Sequence, residues 1–150
     1  MALRAVESPF VGVWRLVSCE AVRGNGSPVP LYGRQPVGRL HYDASGYMSV
    51  QIMKADRRAF QAGTKSGGDE GEMLAAYEGY EAYFSTYAVD NDRRTIQHKV
   101  IGSLFPNWTG TLQRRVYEFD GNDRLILRTE PCSTNGRKGT VVKLVWERVR

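Results

Sequence analysis

The stretch His98–Arg115, with the sequence HKVIGSLFPNWTGTLQRR, decides how the fold of this chain is interpreted. A strand-like alternation enters a Pro-Asn-Trp turn and resumes beyond it with polar residues where a core face is normally apolar. Side chains of a strand alternate between two faces, so Arg115 shares a face with Tyr117 and Phe119. If these aromatic residues point inward, Arg115 does too, and an inward charge must be paired, hydrogen-bonded or hydrated. The pattern predicts a lined cavity rather than a solid core.

Length and composition indicate a single globular domain over residues 1–150. The chain is 41% hydrophobic, which together with its length allows a substantial core. The first residues lack the apolar run of a secretory signal, and no segment is long enough to span a membrane, so we expect a cytoplasmic protein without membrane contact. Cys19 and Cys132 are too few for a disulfide framework and are expected to be free thiols.

Charge and motifs exclude several function classes. The formal net charge is +5, but the basic residues are scattered among acidic ones instead of forming a stripe, so we do not expect nucleic-acid binding. The two histidines and two cysteines lack metal-ligand spacing, and no metal site is expected. The sequence has no phosphate loop, no dinucleotide fingerprint and no Gly-x-Ser-x-Gly elbow. A haem would have only His98 as its ligand, so no cofactor is expected.

Hydrophobic periodicity predicts eight strands and one helix. Asn25-Gly26 and the region Pro28–Pro30 break the chain after the first strand, and Ser133–Gly136 is a predicted turn before the last. The helix is expected from about Glu70 to Phe84, between the third and the fourth strand. One apolar stripe of this helix, which packs against the barrel or closes its mouth, is formed by Met73, Tyr77, Tyr80 and Phe84. The predicted strands are Val11–Arg23, Val37–Asp43, Tyr47–Lys54, Ser85–Val89, Arg94–Ile101, Thr111–Phe119, Arg124–Thr129 and Thr140–Val149.

Short connections between many strands are typical of a sandwich or a closed barrel. Closure is favoured because none of the strands carries the features that blunt an exposed edge. The interior of an eight-stranded barrel is either filled by side chains or holds one small ligand. In the strand Tyr47–Lys54, apolar residues alternate with polar ones, and periodicity alone leaves open which set faces inward.

Five segments carry a resemblance to a known family. GVWRLVSCEA, PVGRLHYDASGYMSVQIM, AYEGYEAYFSTYAVD, HKVIGSLFPNWTGTLQRRVYEFDGNDRLIL and LVWERV follow one another from about Phe10 to Val149. In this order they resemble the bacterial and fungal lipocalin-like domain family, and Gly12-Val13-Trp14 resembles the Gly-x-Trp signature of lipocalins and calycins. The resemblance implies an all-β, eight-stranded antiparallel calycin barrel in which an arginine of the last strand, here Arg148, packs over the tryptophan. Some relatives lie beside natural-product pathways, but fold analogy does not transfer an activity.

The strongest candidate site residues are Arg115 and His98. Arg115 is interpreted either as a bidentate clamp for a carboxylate, enolate or carbonyl oxygen, or as the partner of an inward acid such as Glu20. His98 is either a neutral, hydrogen-bonded core residue or a donor or general base toward a bound molecule. Further ligand-binding candidates, each with a structural alternative, are Gln113, Tyr117, Tyr83, Tyr87, Trp108, Asn107 and Glu20.

Two function classes follow from this pattern. The first is a binding protein that holds a mostly apolar small molecule by one polar or anionic end, fixed by Arg115, Gln113 and His98. The second is a cofactor-free isomerase, cyclase or lyase acting on a small hydrophobic substrate, in which His98 or a tyrosine moves a proton and Arg115 stabilises negative charge. A filled barrel with a purely structural polar interior is a third interpretation. The expected partner is a small molecule, and a homodimer stays open.

Overall fold

The computed structural model describes residues 8–134 and 137–150, which form one antiparallel sheet that closes on itself. The helices are α1 (Glu70–Glu78) and a 3-10 turn at Pro106–Trp108. The strands are β1 (Gly12–Arg23), β2 (Val29–Pro30), β3 (Val37–Tyr42), β4 (Tyr47–Met53), β5 (Tyr80–Asp90), β6 (Thr95–Ser103), β7 (Leu112–Asp120), β8 (Arg124–Thr129), β9 (Cys132–Thr134) and β10 (Arg137–Arg148).

Pairing of the first with the last long strand closes the barrel. Trp14 of β1 lies opposite Leu40 of β3 on one side and opposite Arg148 of β10 on the other. Eight long strands therefore follow one another around a closed antiparallel barrel, which confirms the predicted architecture. Residues 135 and 136 of the predicted turn Ser133–Gly136 lie outside the described residues, as does the side chain of Cys132.

The predicted place of the helix, between the third and the fourth strand, is wrong because α1 follows β4. The sequence predicts a break in the strand pattern at Pro28–Pro30. In the structure, Val29 and Pro30 pair with Ala21 and Glu20 of β1 and add a short strand ahead of the helix. Prolines are tolerated there because this two-residue strand is an edge of the sheet, where a ladder hydrogen bond is not required.

The helix is also shorter than predicted and buries none of its residues. Asp69 caps its first turn in a reciprocal capping box with Glu72, and α1 ends at Glu78 instead of reaching Phe84. From Tyr80 onward the chain pairs with β4, and this tertiary pairing overrides the helical spacing of the aromatic residues. The predicted apolar stripe is therefore wrong: Met73 and Tyr77 are 43% and 46% exposed. None of the helices among the described residues is long and apolar enough to cross a membrane.

An aromatic cluster fills one end of the barrel. Phe10 packs edge-on against Tyr42, Tyr117 and Phe119, with ring centroids 4.9 to 5.5 Å apart. The indole N–H of Trp14 donates to the Phe10 carbonyl at 2.9 Å. Edge-to-face contacts of this kind pack the aromatic rings closely at this end.

The predicted arginine–tryptophan contact is confirmed at the same end. The Arg148 guanidinium lies 4.2 Å from the centre of the Trp14 ring, in cation–π geometry. Gly12 makes this approach feasible, since a Cβ at this position would stand 2.8 Å from an Arg148 nitrogen and its φ is +136°.

A β-bulge in β1 decides which of its side chains enter the barrel. The register with β10 shifts between Leu16 and Ser18, so one extra residue is accommodated there. Trp14 and Leu16 are buried before the bulge, and Cys19 is buried after it. In β4 the apolar set faces inward, with Met48, Val50 and Ile52 all buried.

Candidate functional site

A cavity of about 630 Å³ occupies the part of the barrel that the aromatic cluster leaves open. This volume lies within the range of small-molecule sites. Most of its wall is apolar, contributed by inward residues of four strands: Leu40, Val50, Ile52, Leu127, Leu144 and Trp146.

Arg115, Gln113 and His98 line this cavity together. The alternation of β7 places Gln113 and Arg115 on the inward face, and β6 lies beside it with His98 opposite Gln113. The inward orientation of His98 follows from the same alternation, which also buries Ile96 and Val100. Two neighbouring strands thus bring the three polar side chains to one wall.

Arg115 forms no ion pair with any carboxylate in the described part of the chain. Its guanidinium donates to the backbone carbonyl of Arg114 at 3.0 Å. The predicted alternative, a salt bridge between Arg115 and Glu20, is therefore wrong. The reason is the bulge in β1, which turns Cys19 into the cavity and Glu20 away from it. A guanidinium has five N–H donors, so Arg115 keeps donors for a bound molecule.

His98 is held between two tyrosine hydroxyls. Its Nε2 lies 2.7 Å from the Tyr42 hydroxyl and its Nδ1 lies 2.8 Å from the Tyr83 hydroxyl. The imidazole is 1% exposed. Burial, with a further contribution from the positive charge of Arg115, lowers the pKa of His98 from 6.5 to about 3. The ring is therefore neutral at physiological pH, with both nitrogens already hydrogen-bonded.

The charge of Arg115 acts on several acidic protons around the cavity. Burial raises the pKa of the Tyr42 and Tyr83 hydroxyls, and the nearby guanidinium of Arg115 opposes that rise. Burial also raises the pKa of the Cys19 thiol to about 12, again opposed by Arg115. These groups stay protonated near neutral pH, so Arg115 is the fixed positive charge of the interior.

The rim of the cavity is more polar than its wall. Glu81 contributes a carboxylate whose pKa is raised by burial, and Tyr32, whose pKa is raised to about 12 mainly by burial, lies near it. Arg114 and Glu130 form an ion pair at 3.6 Å, with both side chains about half exposed. Trp108, in the 3-10 turn after β6, packs edge-on against Tyr83 at 5.8 Å and covers part of the opening.

Four of the sequence-predicted residues do not line the cavity. Tyr117 lies in the aromatic cluster and donates to Asn91 Oδ1 at 3.0 Å, while Tyr87 donates to the Asp43 carbonyl. Asn107 is exposed in the 3-10 turn. Glu20 lies on the outward side of β1. Of the predicted set, the structure brings His98, Gln113, Arg115, Tyr83 and Trp108 to the cavity.

Sequence reasoning missed Tyr42, Cys19, Glu81 and Tyr32. Tyr42 had a usable signal, because it alternates with Leu40 in β3 and therefore shares its inward face. Cys19 had none, since the bulge that turns it inward leaves no mark in the residue pattern. Glu81 fell within the expected helix and Tyr32 within an expected loop, so neither was placed on a barrel face.

Among the described residues no group of three or more histidine, cysteine or acidic side chains is arranged to hold a metal ion. His98 has no ring nitrogen free to ligate one, because each nitrogen is engaged by a tyrosine hydroxyl. The arrangement is therefore suited to hydrogen bonding and charge recognition rather than to metal chemistry.

Comparison with known proteins connects this barrel to a family. A 4'-hydroxy-3'-methoxypropiophenone carrier protein from Aspergillus oryzae is 28% identical over 95 residues, which cover 59% of this chain and 86% of that protein. A solved structure of a redesigned β-barrel aligns with a TM-score of 0.45 and 10% identity, covering 95% of this chain and 93% of its own. The family model of the lipocalin-like domain matches residues 11–149. The chain therefore belongs to the lipocalin-like domain family.

Proposed function

We propose that this protein binds a small, mostly apolar molecule inside the barrel and holds it by one polar or anionic end. The observation that carries the proposal is Arg115, a charge with no acidic partner among the described residues, on the wall of a mostly apolar cavity. Arg115 is half-buried, and covering its charge further is costly unless another group compensates it. A bound carboxylate, enolate or carbonyl oxygen is that group.

The relative from Aspergillus oryzae supports the same conclusion. Its name describes a carrier of an aryl ketone, a compact aromatic molecule with a carbonyl oxygen at one side. A molecule of this class matches a mostly apolar cavity of about 630 Å³ with the cationic side chain of Arg115 on its wall. We therefore take aromatic ketones and aromatic carboxylates as the first compounds to test.

Binding is favoured over the alternative, a cofactor-free isomerase, cyclase or lyase. A general base works best with a pKa near the operating pH, and the pKa of His98 is lowered to about 3. Both nitrogens of His98 contact tyrosine hydroxyls, so neither can take a proton directly from a substrate. If a proton moves at this site, it passes through Tyr83.

The test is a fluorescence titration with 2-naphthoate, an aromatic carboxylate that serves as the probe. The wild type is expected to bind it saturably, and Arg115→Met to weaken binding roughly ten- to a hundredfold, because hydrogen bonds to a charged group are lost. Arg128→Met is the matched control. It removes an arginine that pairs with Glu118 outside the cavity, so probe affinity should stay unchanged.

Two results would contradict the proposal. One is the absence of saturable binding by the wild type to 2-naphthoate and to the uncharged ketone 2-acetylnaphthalene. The other is an equal loss of affinity in the Arg115 and Arg128 variants, which would mean that Arg115 acts only through the net charge of the protein. Turnover of either probe, followed by mass spectrometry, would favour the enzyme alternative instead.

A further inference from the structure

Tyr42, His98 and Tyr83 form a chain of three hydrogen-bonding groups that holds three protons. Each tyrosine carries one hydroxyl proton, and the neutral imidazole carries one N–H proton. The two contacts at His98, 2.7 Å on Nε2 and 2.8 Å on Nδ1, use two of the three protons. The third proton must therefore point outward from one end of the chain, at Tyr42 or at Tyr83.

At the Tyr42 end, the described residues offer no acceptor for this proton. Tyr42 is fully buried, with the rings of Phe10 and Tyr87 packed edge-on against it at 5.5 and 4.8 Å. Within the described residues, His98 is the only hydrogen-bond partner of its hydroxyl. An O–H directed into this cluster would be a buried donor without an acceptor, which carries a substantial free-energy cost. The Tyr42 hydroxyl therefore donates to Nε2.

The direction of the whole chain follows from that single donation. With Nε2 as acceptor, the proton of the imidazole is on Nδ1, and Nδ1–H donates to the Tyr83 oxygen. The Tyr83 hydroxyl then keeps its own proton for a partner outside the chain. Tyr83 lines the cavity, whereas Tyr42 does not.

We infer that Tyr83 presents its O–H to the cavity as a fixed donor beside Arg115, so the protein selects ligands whose buried end is an acceptor oxygen, a carbonyl or an oxyanion. This inference rests on the proposed binding function and narrows its ligand class. Tyr42 acts as a positioning residue, since it sets the tautomer of His98 and through it the direction of the Tyr83 proton.

Other polar groups of the cavity fit this selection. Arg115 has donors only. Trp146 lines the cavity, and its buried indole N–H has no acceptor among the described residues. The amide nitrogen of Gln113 donates to Thr111 Oγ1 at 2.9 Å. Among the acceptors that line the cavity, the Gln113 amide oxygen and Glu81 make no described hydrogen bond to Tyr83.

The first experiment measures the tautomer of His98 in the protein without added ligand. Long-range ¹H–¹⁵N correlation spectra at neutral pH should show a neutral ring with the proton on Nδ1 and an unprotonated Nε2. A His98→Gln variant identifies the signal, because the chain has a second histidine, His41. A proton on Nε2, or an imidazolium ring, would overturn the inference.

The second experiment compares two probes of nearly the same shape, 2-acetylnaphthalene and 2-ethylnaphthalene, which differ by a carbonyl in place of a methylene. The wild type should prefer the ketone, and Tyr83→Phe should reduce this preference roughly three- to tenfold while the hydrocarbon affinity changes little. Tyr42→Phe should reduce the ketone preference two- to threefold, although Tyr42 does not line the cavity. Without the Tyr42 hydroxyl, either tautomer of His98 leaves one ring nitrogen without a partner, so the tautomer that keeps the Tyr83 proton free is no longer favoured.

The outcomes separate the inference from the proposed function. Equal affinities of the wild type for ketone and hydrocarbon would overturn acceptor selection while leaving binding intact. An unchanged ketone preference in Tyr42→Phe would overturn the positioning role of Tyr42. If the ketone, the hydrocarbon and 2-naphthoate all fail to bind, the proposed function fails, and the His98 spectrum still decides whether Tyr83 is a fixed donor.

Discussion

Each end of the barrel holds an arginine against aromatic or apolar side chains, but the two guanidinium groups differ in how many of their donors have an acceptor. Arg148, at the end filled by the aromatic cluster, lies over Trp14 and donates to the carbonyls of Val11 and Pro9 at 2.9 and 2.7 Å. Arg115, at the open end, donates to the carbonyl of Arg114 and lies beside the Tyr83 hydroxyl. The same residue type is saturated at one end and left with spare donors at the other.

The filled end of the barrel is stabilised by its arginine, whereas the open end keeps donors for a bound molecule. A guanidinium whose donors are satisfied by backbone carbonyls fixes the chain segments that carry those carbonyls. A guanidinium with spare donors in a cavity stabilises little by itself and is available to a ligand. Variants at each end of the barrel test this difference.

The largest expected effect is on the filled end. Arg148→Met should lower the free energy of unfolding by about 2–3 kcal/mol, since it removes charge-assisted hydrogen bonds and a cation–π contact. Arg115→Met should change it by less than about 0.5 kcal/mol or raise it, because the half-buried charge that is removed has no ion-pair partner among the described residues. Urea unfolding of both variants measures the contrast. Comparable losses in the two variants would mean that Arg115 is a structural residue after all.

An intermediate effect is expected from His98 when the pH is lowered. Its pKa is about 3 in the folded protein and near 6.5 in the unfolded chain, so below pH 6.5 the unfolded state binds the extra proton. The stability that depends on neutral His98 is thus complete above pH 6.5 and is lost progressively as the pH falls toward 3. We expect a loss of about 2 kcal/mol between pH 7 and pH 5.

The measurement is the free energy of unfolding at pH 7, 6 and 5 for the wild type and for His98→Gln. Contributions of other titrating groups are common to both proteins and cancel in the difference. The variant should show the flatter dependence on pH. Parallel curves would mean that His98 takes up a proton as readily in the folded protein as in the unfolded chain, which would contradict the lowered pKa.

The smallest expected effect is at the rim of the open end. Glu81→Gln removes a partly buried negative charge from the cavity. We expect 2-naphthoate to bind about two- to threefold more tightly, an effect that shrinks as salt is added because the rim is hydrated. The uncharged ketone 2-acetylnaphthalene serves as the control and should bind as before. Weaker binding of 2-naphthoate would indicate that Glu81 positions a cationic side chain rather than repelling the ligand.

The sequence predicted the polar wall of the cavity better than its other side. The alternation of β7 is unbroken, so counting by two from Phe119 correctly places Arg115 and Gln113 inside. The same counting failed along β1, where the bulge after Leu16 exchanges the faces and turns Glu20 outward. Period-two reasoning holds only as far as a strand is regular, and bulges have no reliable residue signature.

The helix failed for a different reason. Met73, Tyr77, Tyr80 and Phe84 have helical spacing, yet Tyr80 and the residues after it pair with β4. Aromatic residues suit both states, and only the available partner strand decides between them. The Tyr42–His98 contact likewise joins two strands 56 residues apart in sequence, and nothing in either segment alone announces it.

Closure of the barrel through β1 and β10 has a consequence for how the binding site comes into being. Arg15 and Glu147 are 132 residues apart in sequence, yet they face each other across the closing seam at 2.7 Å. A seam of such high sequence separation forms late, because loop-closure entropy is lost before its contacts are gained. Trp146 and Leu144 of β10 are part of the cavity wall. We therefore expect ligand affinity to appear only once β10 has paired with β1 and completed the cavity wall.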